Sequence, residues 1–356
     1  MPPIRRIVTV ALAASVLLAV SGCAELGLPL QGTPTGSATP TGPAAPPAFA
    51  LDCPTTVGAA DLASLLGAQA TAVTTPPGIL ASAAAAGPLA LPAVGGAACR
   101  WKHGTDTLVV QVLPHAAAAW TTLAAAYPNA ATPGADYDGG VSLGGDCTLT
   151  PTVICRTNVL VGEAWLAVEL TAAAAPGLTE AGFHDIVQRA LPSVAAAVAK
   201  APSPVPAAKA FDCADPGLRA ELQQTFALPA VTSMGTEPTF RIADAVTVAP
   251  GATLCAFQPN EDGSGGYLGS LSVLPGTAAA YEQLRAAVLA QDPSAHSEMM
   301  TVKGEQVPAL VWGVTADDTA FTSVDAMIGT RWVEFRSTDP DDSRSLAIVQ
   351  WVAATR

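Results

Sequence analysis

Basic residues are scarce in this chain. It carries 16 Lys and Arg against 29 Asp and Glu, a formal net charge of −13. A polyanion would be repelled by that balance, so DNA and RNA are excluded as partners. Histidine is scarcer still. His103, His115, His184 and His296 are the only four; none belongs to H-E-x-x-H or a similar pair, and none lies at ligand spacing from a cysteine. No C-x-x-C and no P-loop occurs, and the sequence predicts no catalytic residues, no metal site and no cofactor. Aromatic residues make up only 5% of the chain, and each Trp or Phe must carry a large share of the core.

The leader "MPPIRRIVTVALAASVLLAVSGCAE" has two arginines followed by an apolar run from Ile7 to Val20. A spanning helix needs about 20 such residues, so residues 1–22 read as a secretory signal. Val20-Ser21-Gly22-Cys23 resembles the bacterial lipobox, whose cysteine receives a diacylglycerol and becomes the mature N-terminus. Cys23 is thus the expected lipid attachment site, with stable anchoring from two or more acyl chains. Residues 23–48 are rich in Pro, Gly, Thr and Ser and almost uncharged. They read as a flexible tether, about 30 Å long as a coil and about 80 Å when extended.

The phrase "VLPHAAAAW" ending at Trp120 returns as "VLPGTAAAY" ending at Tyr281. Three further anchors keep the same order: "ALDC" at Cys53 with "AFDC" at Cys213, Cys99 with Cys255, and "EAWLAV" at Trp165 with "TRWVEF" at Trp332. The separations are 160, 156, 161 and 167 residues, which predicts a tandem duplication. The first repeat is placed at residues 49–199 and the second at 211–356, joined by a Pro/Ala linker at 200–210. Apart from Cys23 there are six cysteines, an even number in an exported chain. The repeat makes Cys53–Cys99 and Cys213–Cys255 equivalent bridges and leaves Cys147–Cys155. In the loop-entropy view the long bridges contribute about 4 kcal/mol each and the short one about 2.6 kcal/mol.

Within a repeat, periodicity predicts helix, strands, helix, strands, helix. In the first, "AADLASLLGA" places Leu62, Leu65 and Leu66 on one helical face, and two β-rich runs flank a turn at Gly104. "HAAAAWTTLAAAY" is a helix whose alanines let it lie close on a sheet. Phe183, Val187, Leu191, Val194 and Val198 mark a last helix that Pro192 is expected to kink. In the second, Asp339 is the expected N-cap and Pro340 the first residue of the closing helix. The fold class is α+β, with a mainly antiparallel sheet in each repeat.

Trp165 and Trp332 fall on the polar face of their strands, beside Glu163 and Glu169 or Glu334 and Arg336. They are either a candidate binding surface or the filling under a covering helix. "PNEDGSGG" (Pro259 to Gly266) alternates Asn260, Asp262 and Ser264 as a calcium loop does. Its twelfth position is Leu271 rather than Glu, so a hairpin turn is expected. "DYDGG" (Asp136 to Gly140) and "TADDT" (Thr315 to Thr319) read as acidic turns.

A lipobox, a polar tether, a D-C opening before a helix with "LLG" and a later C-x-W together resemble secreted actinobacterial lipoproteins with a domain of unknown function. That domain is similar to the PsbP-like α/β/α sandwich. The resemblance implies an envelope lipoprotein on the outer face of the cytoplasmic membrane and supplies no catalytic residues. The expected role is a non-catalytic binding module for an envelope protein or a small apolar ligand. An envelope enzyme of hydrolase type with its site between the repeats, and a structural spacer, are the alternatives.

Overall fold

The computed structural model describes residues 49–73, 89–202, 211–234, 240–260, 265–275, 278–316 and 319–355. The signal, Cys23, the tether and most of the linker lie outside them. The chain opens with α1 (Cys53–Thr56) and α2 (Ala59–Leu66), which Gly67 ends at φ +87°. Next come β1 (Thr71–Ala72), α3 (Ala90–Ala93), and the hairpin of β2 (Ala97–His103) and β3 (Asp106–Leu113). Gly104 turns that hairpin at φ +60°, a conformation that suits a residue without Cβ. Then α4 (Ala117–Ala126) crosses to β4 (Val141–Thr148), β5 (Val153–Val161) and β6 (Ala164–Ala172), and α5 (Glu180–Val198) closes the half.

The second half repeats the order. It runs α6 (Pro216–Phe226), β7 (Thr232–Met234), a 3-10 segment (Ile242–Val248), β8 (Thr253–Gln258), β9 (Gly269–Pro275) and α7 (Ala278–Gln291). The last elements are β10 (His296–Val302), β11 (Glu305–Ala316), β12 (Thr319–Ile328), β13 (Arg331–Ser337) and α8 (Asp342–Thr355). The first sheet has strand order β1-β2-β3-β6-β5-β4 and the second β7-β8-β9-β13-β12-β11-β10. Every described pairing in both is antiparallel. The second sheet is thus the first plus one edge strand, β10.

Each sheet is covered on both faces. On one face of the first, Val110, Val112, Leu166 and Val168 meet Leu65 and Leu66 of α2 and Phe183, Val187 and Val194 of α5. The matching face of the second packs on Leu218 and Leu222 of α6 and Ile348 and Val352 of α8. On the other faces the repeats exchange segments. Phe240, Ile242 and Ala245 of the second repeat pack with Trp120, Leu123 and Trp165 of the first. Leu89, Ala90 and Ala93 of the first pack with Leu274, Tyr281 and Trp332 of the second. Both exchanged segments come from the connection between a repeat's first two strands, so the exchange is reciprocal.

Three disulfides are present: Cys53–Cys99, Cys147–Cys155 and Cys213–Cys255. α5 continues as helix through Pro192. One local expectation is corrected. α8 begins at Asp342, not at Pro340. Asp339 instead accepts the Asp341 N–H at 2.9 Å, and Asp341 caps the helix by accepting the Ser343 N–H at 3.2 Å.

Candidate functional site

The polar faces of β6 and β13 decide what the two tryptophans do. Trp165 and Trp332 are each 0% exposed, which overturns the reading of them as a binding surface. A helix of their own repeat and a segment of the other seal the face. Trp165 lies edge-on to Trp120 at 4.9 Å and stacks on Phe240 at 4.9 Å. Tyr281 of α7 stands edge-on to Trp332 at 6.1 Å. The facing surfaces of the repeats are therefore filled by aromatic packing.

The indole N–H groups need acceptors once buried. Trp165 donates to Asn158 Oδ1 at 3.0 Å, and Trp332 donates to Asp325 Oδ1 at 2.8 Å. The acceptor lies seven residues before the tryptophan in both copies, so Asn158 and Asp325 are the same place in the repeat. The difference between them follows from the neighbours. Asp325 also accepts Trp312 Nε1 at 2.8 Å and Ser323 Oγ at 3.0 Å on Oδ2. An amide offers one oxygen and suffices for one indole; two indoles and a hydroxyl call for a carboxylate.

Around Asp325 the second repeat buries a charged cluster. Glu334 is 0% and Arg336 2% exposed, and they form an ion pair. Ser272 Oγ donates to Glu334 Oε2 at 3.2 Å, and the Arg336 guanidinium lies over the Trp312 ring at 5.3 Å. Burial, then the Glu334 charge, pushes the Asp325 carboxyl up to about 7, against the indole donors and Arg336. No substrate can touch this cluster as it stands. The first repeat has Ala167 and Glu169 on the corresponding strand, and Glu169 pairs with Arg156 at 3.2 Å at the half-exposed surface.

Two cavities open elsewhere, and they are not equivalent. One, of about 440 Å³, lies beside the β12–β13 turn. Phe211, Val273, Val302, Val333, Val352 and Ala353 make its apolar floor, with Lys303, Glu305 and Arg331 at its mouth. The other, of about 760 Å³, lies beyond the end of β6 between α2 and α5. Its lining includes His103, Asp106, Asp185 and Arg189, and Arg189 is paired with Asp61.

The remaining sequence candidates separate. His103 Nδ1 contacts the Leu66 carbonyl at 2.7 Å; His115 lies 3.5 Å from Glu163, and His184 4.0 Å from Glu180. His296 is different: its ring converges with Glu298 and Asp342, ligand atoms within 4.8 Å of one another. Of that trio only His296-x-Glu298, on one strand face, was readable in the sequence. Asp136–Gly140 is a turn around buried Tyr137, closed by a Tyr137–Gly140 bridge. Leu271 is a buried residue of β9; Asp262, Ser264 and the centre of "TADDT" lie outside the described residues. No helix among the described residues is long and apolar enough to cross a membrane. No family model, no curated protein and no solved structure matches the chain.

Proposed function

We propose that this protein is a non-catalytic lipoprotein of the cell envelope that binds a small apolar ligand in the second repeat. The lipobox at Cys23 supports anchoring at the outer face of the cytoplasmic membrane, and the tether supports a folded part held off that membrane. One observation carries the binding reading: an apolar cavity of about 440 Å³ whose floor residues Val333 and Val352 are each 2% exposed. That volume falls in the range of small-molecule sites, about 300–1,000 Å³. Lys303 and Arg331 at the mouth, against one Glu305, favour a ligand with an anionic end. The cavity of the first repeat lies at the opposite end of its sheet, so the two copies serve different roles in this reading.

The test is native mass spectrometry of the compact unit from Pro46 to Arg356, exported in a bacterial host with disulfides intact. The expected result is an added mass that unfolding releases, together with saturable binding of anilinonaphthalene sulfonate, an apolar anion. Ala353→Phe, which fills the floor at a cost of about 1–3 kcal/mol, abolishes both. An apo mass with no saturable dye binding refutes the reading.

A further inference from the structure

We infer that His296, Glu298 and Asp342 form a surface site for a borderline divalent metal ion, best matched by Zn²⁺. His296 and Glu298 are two apart on β10 and project from one face of that strand. Asp342 is the first residue of α8, which packs against the same sheet. Their ligand atoms all lie within 4.8 Å of one another. A tetrahedral ion with bonds of about 2.0–2.1 Å draws its ligands to about 3.3 Å, so the three side chains close further on binding. β10 is the edge strand with no counterpart in the first repeat, so the site is an addition of the second copy.

A second observation points the same way. His296 Nδ1 lies 3.1 Å from the Ser294 carbonyl. A carbonyl can only accept, so Nδ1 donates in this contact, which makes Nε2 the nitrogen that coordinates in the neutral ring. Metal-bound imidazoles are oriented by this kind of second hydrogen bond. Ser294 is itself held, its N–H and hydroxyl both donating to Asp292 Oδ1 at 2.9 and 2.6 Å. Asp292 Oδ2 accepts the Gly313 N–H at 3.1 Å, tying the turn to β11.

The charges argue for a cation as well. Nearby Asp339 and Asp341 are paired with Arg344, whereas neither Glu298 nor Asp342 has an ion pair among the described residues. Two carboxylates held together repel until a positive charge separates them. The positive end of α8 works against a cation, by about 0.3–1 kcal/mol at an exposed terminus, so a weakly held outer-sphere ion is not favoured. One nitrogen with two oxygens suits Zn²⁺ or a neighbouring first-row ion over Ca²⁺ or Mg²⁺, which take oxygen ligands. Three protein ligands leave a coordination position open for water or a donor from another molecule.

The experiment uses the full chain in detergent, disulfides intact and without a histidine tag. Calorimetric titration with Zn²⁺ is expected to show one equivalent bound, and Co²⁺ to give visible bands of a low-symmetry N/O site. His296→Ala is expected to weaken Zn²⁺ binding more than about 100-fold and to remove the Co²⁺ bands, and Glu298→Gln to weaken it more than about tenfold. His103→Ala is expected to leave both readouts unchanged. Absence of saturable one-to-one binding, or binding retained in His296→Ala, overturns the proposal.

Discussion

Asp325→Asn is the sharpest probe of the buried cluster, because the first repeat already carries an amide at that place. The new amide oxygen can still receive the Trp332 indole as Asn158 receives Trp165. It cannot also serve Trp312, whose N–H now reaches 2.8 Å from Oδ2, since an amide turns its own N–H₂ toward that donor. One buried indole is left unsatisfied, at about 1–3 kcal/mol. The substitution also removes a carboxyl that burial and Glu334 push up to about 7 from 3.8. A folded-state carboxyl held above its unfolded value contributes stability that is complete below the unfolded value. That stability is lost as pH rises, until the folded group also ionises near pH 7. The loss is at most about 4 kcal/mol at 1.36 kcal/mol per unit.

The native chain should therefore shed stability between about pH 4 and 7 in a way that Asp325→Asn does not. The variant is expected to be the weaker protein at pH 4 and to match or exceed the native chain at pH 8. Urea denaturation followed by tryptophan fluorescence at a series of pH values measures the difference. A gap that stays constant across that range refutes the titration of Asp325. Trp312→Phe supplies the second half of the test: combined with Asp325→Asn it removes the orphaned donor. The double variant should lose less than the two single losses together, by about 1–3 kcal/mol. Strict additivity would show that the two indoles do not share the carboxylate.

Other outcomes follow from the same contacts. Phe240→Ala removes a 4%-exposed ring from between the repeats and should cost about 3–5 kcal/mol in chemical denaturation; a loss below about 1 kcal/mol contradicts the exchanged packing. Iodide should quench little beyond Trp351, because Trp101, Trp120, Trp165, Trp312 and Trp332 are all buried. Quenching that survives Trp351→Phe would show the covering helices opening. Cys23→Ser should move the protein from the detergent-rich to the aqueous phase in a phase-partition assay, and unchanged partitioning would rule out the lipid anchor.

The repeat was legible because its signals are local. Alternating apolar residues mark β3 and β6, Gly67 and Gly104 sit where a positive φ is needed, and each half repeats its Cys and Trp spacing. Two of the cysteine pairs could be read because the repeat sets equivalent residues together, and the third was what remained. "VEFRS" was legible as an alternating strand, with Val333 and Phe335 on the core face and Glu334 and Arg336 opposite. The second face was readable either as a binding surface or as the underside of a covering helix. Nothing local shows that α7 and a segment of the other repeat cover it. The metal-ligating trio was half legible: His296 and Glu298 share a face, but Asp342 reaches them only after β11, β12 and β13 have folded back.

What the sequence determined by itself is therefore the α+β order of elements, the duplication and turns such as that at Gly104, because each depends on spacing within a few residues or on one copy matching the other. The tertiary structure alone decided the fate of the second sheet faces, where segments exchanged between repeats turn Trp165 and Trp332 into core. It also decided that Asp325, Glu334 and Arg336 are buried together while two non-equivalent cavities stay open. Burial is a property of what packs above a strand, and in this protein what packs above comes from distant parts of the chain.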